Sequence, residues 1–462
     1  MTIRTFVRFA ASLVLTSLLA ACGGGGHFTP ASDTSTDYQP AQQALQQETQ
    51  TSAVQTNALT PSSLPVTSFL PSSYGKIGTF QIFDETRNGT ISATAAQQHG
   101  YHYNAVWGVR PGMATNWRVS NSGLQASYYF ISITDASTSA WGGIGHSLTW
   151  WKANHPSWIL YACSTSTNAP THNPAYVAGL PNVPIDFHNT AAADYVIRNV
   201  VAPYAKSHGY NALAADEVTF WPAMSGTTYY PCGIWNGSTF VRRYSNANDP
   251  RYDSDMVNWV KAAHSTLRTY FPGMRLIVNH PGSVLSTNEE TLLQNVDAVM
   301  DETGFTAYGR YQIPVSKVTA KANWMRYGQQ HGVAMLINQD WGAITMGAAQ
   351  RDYSVATYLL GNEQAAAAFI SNHSGYGIEV WRSEYGMNVG APCGEYYSGG
   401  GALLYRKFAN AFVAVNGGGS GTQSAHLPTG HTYVDLEGRT VHNPLPIAAN
   451  DGYVLKTTNG CN

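Results

Sequence analysis

Charge is scarce in this chain. Only 11% of its 462 residues are Asp, Glu, Lys or Arg, and the formal net charge is -2, so it carries no electrostatic footprint for nucleic acid. Cysteine is rare too, five in all. Their wide separation argues against a zinc ribbon, and no His-Glu-x-x-His spacing occurs. The chain lacks a serine nucleophile elbow and a phosphate-cradling glycine loop. The apolar run from Phe9 to Ala21, behind Arg4 and Arg8, is too short to span a bilayer stably but has the length of a secretory h-region.

That run closes on Leu19-Ala20-Ala21-Cys22, which resembles a bacterial lipobox. On this reading residues 1–21 are a signal peptide and Cys22 is acylated, giving a membrane partner through a lipid anchor. Ordinary signal cleavage with Cys22 incidental is the competing reading. Gly23 is not the aspartate associated with inner-membrane retention, so the expected address is the cell envelope, at an outer membrane or cell surface. Residues 22–70, rich in Gly, Ser, Thr, Gln and Ala, have too little apolar surface to offset ordering and read as a disordered tether. The remaining body of about 390 residues is long enough for a large barrel and an accessory module.

Three short apolar runs each end in acid: Ala212 to Glu217, Asp297 to Glu302 and Ala334 to Asp340. Carboxylates beside apolar walls are tolerated where their charge or shifted pKa is used. Short β-rich runs at Gly78 to Asp84, Tyr103 to Gly108, Ala126 to Asp135, Asn211 to Val218, Arg275 to His280, Asp297 to Glu302, Val333 to Asp340 and Gly375 to Trp381 predict eight strands. Helical periodicity over Ala191 to Ser207, Asp253 to Phe271, Val315 to His331 and Ala349 to Ile370 falls between them. Two further strand-like runs, Ser157 to Ala162 and Val183 to Phe187, compete for barrel membership. The expected class is α/β: a (β/α)8 TIM barrel over residues 71–400, followed by a small C-terminal antiparallel β module over 401–462. In that module Tyr433 to Val441 reads as a hairpin.

In a parallel barrel the active face gathers at the C-terminal strand ends, where Asp84, Asp135, Asp216, Glu217, Glu302 and Asp340 all fall. Alternation along a strand allows only one of Asp216 and Glu217, and one of Asp301 and Glu302, to face the mouth. The chemistry suited to such acids is glycosidic bond cleavage, in which one carboxyl donates a proton and another attacks the anomeric carbon or activates water. Asp84, Trp107, Asp135, Glu217, Asn279, His280, Tyr308, Asp340, Trp341 and Trp381 are candidate substrate contacts, and Trp221, Arg310 and Tyr311 lie close by in sequence. For each of these, helix capping, ion pairing or core packing is the competing role. No cofactor and no metal are called for. A carbohydrate is the expected partner.

The segments Leu148 to Tyr161, Gly209 to Asp216 and Asp301 to Phe305 resemble the hypothetical glycoside hydrolase family fifteen, a group of TIM barrels akin to the α-galactosidase and endo-polygalactosaminidase superfamily. The likeness runs from about Lys76 to Cys461. It implies catalytic acids at the ends of strands four and six, which map to Asp216, assigned as nucleophile or base, and Glu302, assigned as general acid, and it favours retention at an α-linkage. Relatives often carry Asp-Asn where this chain has Asp216-Glu217. A non-catalytic glycan-binding envelope lipoprotein is the alternative function. Cys163, Cys232, Cys393 and Cys461 are disulfide candidates with three possible pairings, among them Cys163 with Cys232, both placed on the same face. The stretch from Trp221 to Asp253 reads as a long functional or crosslinked loop.

Overall fold

The structure is a computed structural model that describes residues 77–86, 89–135, 144–177, 182–220, 228–282, 284–306, 314–340, 347–363, 367–372, 382–418 and 420–461. The chain divides at Leu59 into two units, and every described residue lies in the second, Thr60–Asn462. Cys22, Tyr308, Arg310, Tyr311, Trp221, Trp341 and Trp381 lie outside the described residues.

Eight parallel strands pair in sequence order: β1 (Phe80–Ile82), β2 (Ala105–Trp107), β3 (Gln125–Ile131), β4 (Ala212–Asp216), β5 (Arg275–Asn279), β6 (Ala298–Asp301), β7 (Ala334–Asp340) and β8 (Ala367–Asn372). The last comes round beside the first, which makes the sheet a TIM barrel. Runs such as Ala212-Leu213-Ala214-Ala215 and Ala298-Val299-Met300 are wholly buried, as strands covered on both faces must be. Helices cover the outside, among them α1 (Leu148–Asn154), α2 (Arg251–Tyr270), α3 (Thr287–Leu293), α4 (Val315–Gln330) and α5 (Ala348–Gly361). Ser147 and Ser286 cap α1 and α3 by accepting from the third residue along, satisfying donors that a helix start leaves open.

Several expected elements move. The eighth strand runs at Ala367–Asn372 and not at Gly375 to Trp381, and α5 stops at Gly361 instead of reaching Ile370. The alanines after Gln364 have high helix propensity, but pairing along β7, from Met335 beside Ala367 to Asp340 beside Asn372, outweighs it. The helix expected at Ala191 to Ser207 contains a π-helical stretch, Val196–Val201, between two α segments. The two extra strand-like runs stay out of the barrel. Tyr161–Ser164 joins Pro170–Pro174, Tyr229–Asn236 and Thr239–Arg242 in a separate four-stranded antiparallel sheet, while Ile159 bridges Ile185. The stretch expected to be a loop after Trp221 is therefore largely a hairpin, Tyr229–Asn236 with Thr239–Arg242, turning at Gly237 with φ 62°.

A disulfide joins Cys163 to Cys232 across neighbouring strands of that sheet, and a second joins Cys393 to Cys461. The first closes a separation of 69 residues, so removing it in Cys163→Ala/Cys232→Ala is expected to cost roughly 2–4 kcal/mol through the entropy regained by the unfolded chain. A melting temperature lower in the double variant, and insensitive to reductant at this bond, checks it.

The C-terminal module is a four-stranded antiparallel sheet of β9 (Tyr397–Gly400), β10 (Leu403–Phe408), β11 (Ala411–Asn416) and β12 (Asp451–Lys456), with a two-stranded ribbon beside it. Leu403, Tyr405, Phe412, Ala414, Leu427, Tyr433 and Leu455 form one core, and the other face of the sheet lies on α5. At that contact a Cβ on Gly452 would come within 2.9 Å of the Ala356 methyl, so only glycine lets helix and sheet close. Val434 bridges Thr440, and Asp435 N–H donates to the Arg439 carbonyl, the hairpin expected there.

Candidate active site

The ends of β3 to β6 bring four polar side chains together. Asp216, the last residue of β4, is 2% exposed, and Glu302, just past β6, is 8% exposed. Between them stands Asn279 at the end of β5. Its Nδ2 donates to Asp216 Oδ1 at 2.8 Å and to Glu302 Oε2 at 3.0 Å, so those two oxygens are at most 5.8 Å apart. Carboxylates accept, so the amide nitrogen has to face them. Asn279 Oδ1 is left buried with no partner among the described residues, a cost that favours function over stability.

Asp216 accepts at both oxygens. The Tyr129 hydroxyl donates to Oδ2 at 2.6 Å, and the Glu217 backbone N–H donates to Oδ1 at 2.9 Å. Tyr129 projects from the middle of β3, its ring held edge-on by Phe83 at 5.3 Å and Trp107 at 6.5 Å. Nothing in Ser127-Tyr128-Tyr129-Phe130 marks this tyrosine over its neighbour, and sequence reasoning missed it. Removing its hydroxyl in Tyr129→Phe strips a donor from a charged acceptor, a loss expected to lower kcat by about 10- to 100-fold. A comparison of kcat with far-ultraviolet circular dichroism separates this from misfolding.

Glu302 is positioned by the turn after β6. Asn338 Nδ2 on β7 donates to the Glu302 carbonyl at 2.9 Å, and Gly304, at φ 49°, passes so close to β7 that a Cβ there would lie 2.2 Å from the Asn338 carbonyl oxygen. Its neighbour Asp301 turns outward to Lys321 of α4 and caps the turn through Thr303 and Gly304. Alternation thus holds on β6. On β4 the strand ends at Asp216. Glu217 takes a left-handed backbone, φ 58°, leaves the strand, and its carboxyl feels both Asp216 and Glu302. Burial first, then those two charges, hold it well above the usual carboxylate range.

Four expected substrate contacts have other occupations. Asp84 is paired with Arg110, which bonds it through Nε at 3.0 Å and its backbone N–H at 3.1 Å; desolvation still raises its carboxyl. Asp135 accepts from Trp151 Nε1 and the His146 N–H and so fastens α1 to the barrel. His280 sits between Glu289 of α3 and the Val218 carbonyl. Trp107 is 1% exposed and backs Tyr129. These partners give all four a structural role, because strand-end polar groups here also fix the loops that shape the mouth. Asp340 ends β7, and nothing is described of its side chain. Among the described residues no cluster of His, Cys, Asp and Glu is placed to hold a metal ion.

No protein-family model and no curated protein matches this chain. Among solved structures it is similar to the GH36 α-galactosidase AgaA from Geobacillus stearothermophilus, at 11% identity and TM-score 0.43, with 83% of this chain and 56% of that one covered. It therefore spans little more than half the length of that protein. It is also similar to Eubacterium rectale Amy13B, at 8% identity and TM-score 0.44, covering 86% of this chain and 97% of that one. A third is the α-amylase from Geobacillus thermoleovorans, at 10% identity and TM-score 0.40, covering 82% and 98%. The barrel stands on its own strand order.

Proposed function

We propose that this chain is a glycoside hydrolase that cleaves O-glycosidic bonds of a poly- or oligosaccharide with Asp216 and Glu302. The observation that carries the reading is the Asn279 amide tethering both carboxylates, with the bonded oxygens within 5.8 Å. A retaining pair stands about 5–5.5 Å apart, whereas an inverting pair needs about 6.5–9.5 Å to admit a water. Asp216, accepting from three donors, attacks the anomeric carbon. Glu302 protonates the leaving oxygen and then draws the proton from the water that releases the sugar. The expected linkage is α, from the motif resemblance. The substrate reaches an envelope enzyme tethered through Cys22, and mass spectrometry of the mature N-terminus would establish the anchor.

The test is a polysaccharide panel incubated with the purified protein, scored by release of reducing ends. Proton NMR of the first-formed anomer then reads the stereochemistry. An inverted first product would remove the retaining assignment, and no release from any glycan would remove the hydrolase.

A further inference from the structure

Glu217 is a third acid at the mouth that the Asp216 and Glu302 pair does not use. Its left-handed backbone is one that side-chain-bearing residues rarely adopt, and it breaks the strand's alternation directly after Asp216. It is partly exposed where Asp216 and Glu302 are buried. Among the described residues no cation and no hydrogen-bond donor reaches its carboxyl.

The charges around it explain what form it takes. Asp216 of its own strand and Glu302 of β6 act on it, and both are acids. Asp301 on β6 is turned to Lys321, and His280 beyond β5 is turned to Glu289 and the Val218 carbonyl. Tyr129 of β3 gives its hydroxyl proton to Asp216. A carboxyl that is half-buried, feels two acids and lacks a cation is pushed toward its protonated form, and a protonated carboxyl is a donor.

We propose that Glu217 is a substrate-contacting residue that donates a hydrogen bond, as a neutral carboxylic acid, to a sugar oxygen held at the Asp216 and Glu302 pair. This rests on the glycosidase reading. It is a binding role and not the general acid, because the acid has to stand across the scissile bond from the nucleophile. Glu217 follows Asp216 on the same strand end, whereas Glu302 comes from two strands away. The sign of the pH dependence follows: the donor is present below the carboxyl's raised pKa and is lost as pH rises through it.

The experiment is a pH profile of kcat/KM for the full-length protein and for Glu217→Gln and Glu217→Ala, on a glycan found by the reducing-end screen. Glutamine keeps a neutral donor, so Glu217→Gln should stay within about threefold of the wild type near neutral pH and shift or lose the alkaline limb. Alanine should raise KM about tenfold with kcat little changed. A fall of about 10²–10⁴ in kcat for Glu217→Gln would make Glu217 the general acid and overturn the proposal, as would an unchanged alkaline limb. Infrared difference spectra need no turnover: the wild type minus Glu217→Gln should contain a protonated-carboxyl stretch at neutral pH, and its absence overturns the proposal. If the wild type cleaves nothing, the glycosidase reading falls by itself. The infrared band and the affinity of the variants for a bound oligosaccharide then decide Glu217 separately.

Discussion

Asp216→Asn is expected to lower kcat by ~10⁴ or more on any glycan the protein cleaves, with glycan affinity changed by no more than a few fold. The substitution keeps shape and removes the charge that attacks in the proposed mechanism. It also turns one acceptor into a donor that faces Tyr129 or Asn279, so the site loses its preorganised acceptor geometry along with the nucleophile. Glu302→Gln is expected to behave differently. Its loss of ~10²–10⁴ should shrink for substrates whose leaving group needs no protonation. Kinetics on a sugar leaving group and on an activated aryl leaving group, beside calorimetric binding, check both. Near-full activity in either variant would move the chemistry away from the Asn279 bridge.

Much of this site was legible because barrels obey a simple rule. Apolar runs ending in acid are parallel strands ending at the mouth, and the runs closing on Asp216 and Glu302 needed no side-chain geometry to be placed there. What the rule cannot rank is which strand-end acid is spoken for. Asp84 and Asp135 satisfy it as well as Asp216 does, yet Arg110 in one case and Trp151 with His146 in the other occupy them. Those partners lie 26, 16 and 11 residues away, with no spacing that marks a contact. Tyr129, and the backbone turn at Glu217, escaped for a different reason. A hydroxyl in a buried strand looks like packing until its acceptor is known, and period-two alternation has no means of announcing one residue with a positive φ. The eighth strand was misplaced because alanine favours helix locally, while its pairing with β7 is a long-range term.

Arg406→Met is expected to destabilise the protein by about 3–5 kcal/mol, the cost of leaving buried polar partners unpaired. The side chain is 0% exposed although it sits in a sheet. From β10 of the module it reaches the end of α5, where Nη1 donates to the carbonyls of Leu359, Leu360 and Asn362 at 3.1, 2.7 and 3.0 Å. Nη2 donates to Glu363 at 3.0 Å and Nε to the Gly394 carbonyl at 3.2 Å. The Leu359 carbonyl also accepts from the Asn362 N–H at 3.3 Å, but a helix end carries the negative end of the dipole and leaves its last carbonyls short of partners. One guanidinium therefore ends α5, in the chain just before β8, and ties the module to the barrel. A lysine cannot span that fan of acceptors, so Arg406→Lys should recover little of the loss. Arg406→Met/Glu363→Gln should lose less than the two single changes combined, since Glu363 no longer keeps a buried charge beside an absent partner. Arg326 also holds Glu363, so the recovery is partial. Urea unfolding followed by tryptophan fluorescence measures the wild type, the two Arg406 variants, Glu363→Gln and the double variant. A loss below about 1 kcal/mol in Arg406→Met would mean that water replaces the guanidinium and that the module does not brace the barrel through this residue.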